Sequence, residues 1–243
     1  MLKTTISVLL LITAVTNDTF AVNDVTIGTS PTADITDWSD EYCVQDADPA
    51  DCNDYSGQSD GKGACIASNY SAPGPADTAF LRYDFDDTGA TGRNTIDGCW
   101  LVDVDQNGFS NRALCFSVSS SGGTAVRVTS QLFTCNDTTP GCSGSAPIAT
   151  SSAVCAINNA VPDVNQLTDC AIADTDLAVE CSASLSDMGW TSGRIGLLQG
   201  CSSVSATPTS TFKDCFGDPS APLFIDPTNG ENLPVDLQFF EIE

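Results

Sequence analysis

Apolar and polar side chains alternate along several short stretches of the chain. Leu81, Tyr83 and Phe85 alternate with Arg82 and Asp84. The pattern returns at Val126, Val128 and Leu132, and most clearly at Leu177, Val179, Cys181, Ala183 and Leu185. A period of two puts one face of a strand on a core and the other in water. A further strand is predicted near Arg194 to Cys201, and turn clusters such as Ser119-Ser120-Ser121-Gly122-Gly123 separate the runs. No long segment repeats with helical spacing. Many short strands with frequent turns predict an all-β fold, an antiparallel β-sandwich with long disulfide-pinned loops.

The ends of the chain differ from this middle. Lys3, the apolar run Ile6 to Val15 and the small-residue pattern Thr19-Phe20-Ala21 have the order of a signal peptide, so residues 1–21 are expected to be cleaved. The run is shorter than the ~20 apolar residues that span a bilayer. No later stretch is long enough, so no membrane span is expected in the mature chain. Residues 22–78 are rich in Asp, Ser, Gly and Pro and are expected to form a loop-rich segment with a few short strands, pinned by Cys43, Cys52 and Cys65 and packed on the main domain. Residues 79–216 are assigned to the sandwich. Residues 217–243 are assigned to a tail with Pro219, Pro222, Pro227 and Pro234, closing on a terminal strand.

Composition narrows the chemistry. Eight basic and 32 acidic residues give a formal charge of −24. Such a surface repels nucleic acid and anionic lipid and attracts cations. Twelve cysteines, an even number in an exported chain, imply disulfides and a secreted or extracellular-surface location. Zinc sites favour CxxC pairs and histidine, and the sequence has neither. The absence of histidine removes Ser-His-Asp and Cys-His catalysis. No pair of carboxylates is marked by spacing for glycoside hydrolysis. No enzymatic role is expected.

One segment carries distinct chemistry, Cys99-Trp100-Leu101-Val102-Asp103-Val104-Asp105-Gln106-Asn107-Gly108-Phe109-Ser110-Asn111-Arg112-Ala113-Leu114-Cys115. Asp103, Asp105 and Asn107 occupy positions 1, 3 and 5 of a D-x-D-x-N-G loop, where alternate oxygens can converge on a hard cation and Gly108 permits the turn. The Phe109 carbonyl would supply position 7, and Asn111 position 9. Position 12 is Leu114 rather than the bidentate Glu of a helical calcium loop. The remaining ligand of a Ca2+ ion must then come from elsewhere, with Asp86 or Asp87 expected and Asp97 as a further candidate. Cys99 and Cys115 are equidistant from Asn107, so a symmetric hairpin would set them face to face and Trp100 opposite Leu114. The plainer reading is an acidic surface turn with Asn-Gly at its tip. Trp38, Trp100, Trp190, Tyr42, Tyr55, Tyr70 and Tyr83 offer stacking faces for sugars, although aromatic residues in a sandwich usually serve the core.

A family resemblance rests on several motifs in order. They are Asp54-Tyr55-Ser56-Gly57-Gln58, the run Asp86-Asp87-Thr88-Gly89-Ala90-Thr91-Gly92-Arg93-Asn94-Thr95-Ile96-Asp97, the Cys99–Cys115 loop, Leu132-Phe133-Thr134-Cys135 to Cys142, and Cys201 to Cys215. Together they resemble an uncharacterised cysteine-rich module at the amino end of exported bacterial surface proteins with Ig-like repeats, over roughly residues 52–215. That resemblance implies a calcium-stabilised extracellular module and supplies no substrate. Spacing favours the pairs Cys99–Cys115, Cys135–Cys142 and Cys201–Cys215. The expected function is adhesion or assembly at the cell surface, with a cell-surface glycan or another surface protein as partner. The alternative is a calcium-dependent carbohydrate-binding module.

Overall fold

The computed structural model describes residues 31, 33, 43–45, 61–69, 76–85, 95–121, 124–161 and 176–228. Every regular element among them is a strand, and the strands form two antiparallel sheets. The smaller sheet runs, in spatial order, β1 (Cys43–Gln45), β2 (Gly61–Ser68), β3 (Thr78–Phe85), β9 (Asp176–Ser184) and β8 (Val154–Val161). The larger runs β11 (Phe212–Phe216), β10 (Ile195–Ser203), β4 (Thr95–Asp103), β5 (Arg112–Ser121), β6 (Thr124–Thr134) and β7 (Ala146–Pro147). Strand β12 (Leu223–Ile225) pairs with β10 beside Ile195 to Leu197, on the edge that β11 occupies further along. No helix among the described residues is long and apolar enough to cross a membrane.

Alternation builds the core between the sheets. Leu81, Tyr83 and Phe85 of β3 and Leu177, Val179 and Cys181 of β9 face Trp100, Val102, Leu114, Phe116 and Leu197 of the larger sheet in one buried cluster. Tyr83, Phe85, Trp100, Phe116 and Phe216 stack within it, with neighbouring ring centroids 4.5–6.2 Å apart. Trp100 also joins the sheets by a hydrogen bond, donating from Nε1 to the Arg82 carbonyl at 3.0 Å. The sheets approach closely at Gly200, where an added Cβ would stand 2.3 Å from Ala64 Cβ. Only a residue without a side chain fits there. Trp100 and Tyr83, offered by the sequence as stacking faces, are therefore core residues with no exposed surface.

The opposite face of β3 departs from the expected half-buried strand. Arg82 and Asp84 point away from the core, yet they are only 2% and 0% exposed. Buried charges persist when they are paired. Arg82 donates to both Asp84 oxygens, from Nε at 2.8 Å and from Nη2. Burial pushes the Asp84 carboxyl up, and the charges of Arg82 and Lys62 pull it back. Ala33 lies over this face, with its N–H donating to Glu180 Oε2 at 2.8 Å and its carbonyl accepting from Asn158 Nδ2 at 3.3 Å.

The sandwich also extends beyond residues 79–216. β1 and β2 belong to the smaller sheet, with Ala64, Cys65 and Ile66 fully buried, and β12 belongs to the larger. The expected segments 22–78 and 217–243 thus both contribute strands. Residues 1–21 and 229–243 lie outside the described residues, as do Trp38, Tyr42, Tyr55 and Tyr70.

Five disulfides are formed among the described residues: Cys43–Cys65, Cys99–Cys115, Cys135–Cys142, Cys155–Cys181 and Cys201–Cys215. Cys52 and Cys170 lie outside them. Four of the five join residues directly opposite in the strand register. Cys43–Cys65, Cys155–Cys181 and Cys201–Cys215 tie the outermost strands β1, β8 and β11 to their sheets. Edge strands have one bonded neighbour and fray first. Replacing Cys155 and Cys181 by Ser is expected to cost about 3–4 kcal/mol by the loop-closure estimate. Denaturant unfolding measures that loss, and hydrogen exchange should place the earliest opening in β8.

Candidate functional site

Strands β4 and β5 pair in the symmetric register, with Cys99 opposite Cys115 and Trp100 opposite Leu114. Their connection, residues 104–111, is longer than a two-residue Asn-Gly turn. Gln106 and Gly108 both take positive φ, 64° and 84°. These two left-handed residues curl the loop over Asp103, which is fully buried. Asp103 Oδ1 accepts from the amides of Asp105 at 3.0 Å and Gln106 at 2.6 Å, and Oδ2 accepts from Gly108 at 2.8 Å. Asn111 closes the base, its Oδ1 accepting the Val104 amide at 3.1 Å and its own amide donating to the Val102 carbonyl at 3.1 Å. Asp103 and Asn111 therefore organise the loop backbone from within.

The outward oxygens meet a second loop. The register that sets Arg112 opposite Thr134 brings the chain after β6 alongside the β4–β5 loop. Ser110 donates from its amide to the Thr139 carbonyl at 3.0 Å and from its hydroxyl to the Pro140 carbonyl. The Cys135–Cys142 disulfide closes this second loop at a sequence separation of 7. Within it Asp137 takes a left-handed conformation, φ 51°. Asn107 Nδ2 donates to both Asp137 oxygens, at 2.9 and 3.0 Å, and to Asp105 Oδ2 at 3.3 Å. Asn107 Oδ1 accepts the Phe109 amide at 2.8 Å. Asp105, Asn107 and Asp137 are thus gathered at the tip, the first two exposed and Asp137 half-buried, and Phe109, two residues after Asn107, is 38% exposed.

The electrostatics follow from this crowding. The Asp105 carboxyl is held above its ordinary value, first by burial, then by its hydrogen bond to Asp103 and by the charges of Asp137 and Asp103. Arg112 interacts electrostatically with both Asp105 and Asp137. Burial lowers its pKa, and Asp105 and Asp137 oppose that shift. Arg112 donates to the Asn111 carbonyl at 2.8 Å and packs against Gly189, where an added Cβ would stand 2.2 Å from Nη2. Among the described residues no three His, Cys, Asp or Glu side chains form a metal cage by themselves. The oxygen set is instead two outward carboxylates with amide and backbone oxygens, a hard-donor set suited to calcium or magnesium rather than to a softer metal. In the present arrangement the Asn107 amide nitrogen faces the carboxylates. Turning that amide over would present a third oxygen.

Of the remaining sequence candidates, Asp97 alone is among the described residues. Asp86 and Asp87 lie outside the described residues. Phe85, which precedes them, pairs with Leu177, whereas the loop end of the sandwich is marked by Thr78 opposite Ser184 and by Asp103 opposite Gly196, joined through residues 185–194. Phe85, the last described residue of β3, therefore stands at the end of the sheet opposite the tip loops. Asp97 sits opposite Ser117 and Ser203, six residues along β4 from Asp103, roughly 20 Å away. Asp137 was missed because its approach depends on the pairing of β5 with β6. That pairing could have been read from the alternation at Val128 and Leu132 if carried across to Val118 and Leu114.

No protein-family model matches the chain, and no match was found among curated proteins. The carboxylate crowding is directly testable. A raised aspartate binds its proton more tightly folded than unfolded, so its contribution to stability is complete below the ordinary carboxylate pKa. It is lost as pH rises through the folded value. Carbon-detected NMR titration of the metal-free chain should show Asp105 titrating above an ordinary aspartate, and Asp137→Asn should bring its midpoint down.

Proposed function

We propose that this chain is an exported, non-enzymatic β-sandwich module whose tip loops bind one calcium ion for structural purposes, and that it serves adhesion or assembly at a cell surface. The observation that carries the calcium reading is the gathering of Asp105, Asn107 and Asp137 above a buried Asp103. Two loops, one closed by Cys135–Cys142 and one set between strands tied by Cys99–Cys115, deliver those groups. Two carboxylates about 4 Å apart repel by roughly 1 kcal/mol in water and 4 kcal/mol at an effective dielectric of 20. A divalent cation between them reverses the sign. Asp105, Asp137, a turned Asn107 amide and the Phe109 carbonyl would hold the ion, with water completing its shell, and Asp103 would keep the loop in shape. Bound there, calcium would rigidify the join between the two loops.

The export reading draws on the leader-like pattern of residues 1–21, the five disulfides and the resemblance to cysteine-rich surface modules. The lack of histidine argues against the commonest hydrolytic machinery. A second reading, calcium-dependent carbohydrate binding, is favoured by one feature. Phe109, two residues after Asn107, is exposed, and a sugar could stack on it while its hydroxyls reach the ion. Phe109→Ala separates the two readings, since it should abolish glycan binding and leave calcium stabilisation intact.

Thermal unfolding of the oxidised chain with calcium and with chelator tests the proposal. Binding to the native state alone adds about 2.7 kcal/mol at a hundredfold excess over Kd. For a chain of this size that is a rise in Tm of about 5–10 °C. Asp137→Ala is expected to remove the rise, and Asp97→Ala to keep it. A chain that melts at the same temperature with and without millimolar calcium would defeat the reading.

A further inference from the structure

Four cysteines stand in one row across the larger sheet. Cys215 of β11 is opposite Cys201 of β10, Cys201 is opposite Cys99 of β4, and Cys99 is opposite Cys115 of β5. Directly opposed residues carry their side chains on the same face. The row is therefore two disulfides side by side, Cys201–Cys215 and Cys99–Cys115, with Cα atoms 4.1 and 4.0 Å apart. Such short spacings belong to pairs that exchange no backbone hydrogen bonds. A strand residue aims its N–H and C=O at one neighbour only. Cys99 and Cys201 must then form the hydrogen-bonded pair between the two disulfides, with Cα atoms about 5.5 Å apart. That separation lies within the range of roughly 4.4–6.8 Å from which a disulfide closes.

Exposure is graded along the row. Cys215 is exposed, whereas Cys201, Cys99 and Cys115 are fully buried. An outside thiolate meets Cys215 first. The other two strand-joining disulfides lack this arrangement, for beyond Cys65 stands Arg82 and beyond Cys181 stands Leu81.

We propose that the row is a disulfide-exchange relay, in which attack by a small-molecule thiol at Cys215 is passed inward and ends as a Cys99–Cys201 bridge. In the first step the external thiolate bonds to Cys215 Sγ, the Cys201–Cys215 bond breaks, and Cys201 leaves as a thiolate. Apolar surroundings disfavour a buried thiolate, so it does not accumulate. In the second step Cys201 bonds to Cys99 Sγ, the Cys99–Cys115 bond breaks, and Cys115 leaves as a thiolate that takes up a proton. One thiol is consumed and one appears, and nothing is oxidised or reduced overall. The covalent tie moves from within the β4–β5 hairpin to the β4–β10 pair, and β11 is released at its edge. This exchange is independent of any ion at the tip loops.

The variant Cys215→Ser tests the relay, since it leaves Cys201 as a thiol beside an intact neighbour. After hours at about pH 8, where thiolate is populated, acid quenching, alkylation and peptide mapping should recover Cys99–Cys201-linked peptides together with alkylated Cys115. Alkylation confined to Cys201, with Cys99–Cys115 intact, would overturn the proposal. Should that variant not fold, the unaltered chain treated with limiting monothiol gives the same readout. A Cys99–Cys201 linkage there supports the relay, and an alkylated Cys201 beside native Cys99–Cys115 contradicts it.

Discussion

Strand register is the constraint on which the rest of this molecule depends. A slip of one residue would turn every side chain of a strand to the opposite face. In this sandwich that would expel Tyr83 or Trp100 from the core and bring a charge inside. Four disulfides each join directly opposed residues, and three of them hold the outermost strands. Among the described residues none crosses from one sheet to the other. Cohesion between the sheets comes from the aromatic core, from hydrogen bonds such as Trp100 to the Arg82 carbonyl and the Gly61 amide to Asp214, and from the close approach at Gly200. The division of labour is physical. Covalent ties fix which residues face each other, and apolar burial holds the two layers together.

That register reaches the tip of the sandwich. With Cys99 opposite Cys115, Val102 stands opposite Arg112 and the loop between them must start and finish at fixed points. With Arg112 opposite Thr134, the loop bearing Asp137 starts beside it. Two chain segments separated by 30 residues thereby share hydrogen bonds at Asn107. Like charges held this close oppose folding of the metal-free chain, and they add to burial and the Asp103 hydrogen bond in raising the Asp105 carboxyl. A cation would relieve it. Arg112, half buried below the cluster, relieves it only in part.

The sequence made the strands legible wherever one face was apolar and the other polar. Leu81 to Phe85 and Leu177 to Leu185 announced β3 and β9 by alternation alone. It misled where charge lay in a covered face, because Arg82 and Asp84 look like solvent-facing residues until their pairing and the overlying Ala33 are known. β2 was hidden for a related reason. Gly61, Lys62 and Gly63 interrupt its alternation, and its place in the sheet comes from pairing with β3. The tip loop was legible in part. Spacing about Asn107 marked the hairpin and its disulfide, and the D-x-D-x-N-G pattern marked the turn. Spacing could not tell that Asp103 and Asn111 would turn inward to the backbone. Nor could it name Asp137, whose arrival depends on tertiary pairing rather than on local sequence.

In the proposed function, covalently fixed loops deliver oxygens to one divalent ion. Calorimetric titration of calcium into the oxidised chain, compared with a Cys135→Ala/Cys142→Ala variant that remains folded, examines it most directly. Saturation at one ion per chain is expected, with binding at least tenfold weaker once the second loop is untied. Equal affinity in the two proteins, or no saturable heat in either, would contradict it.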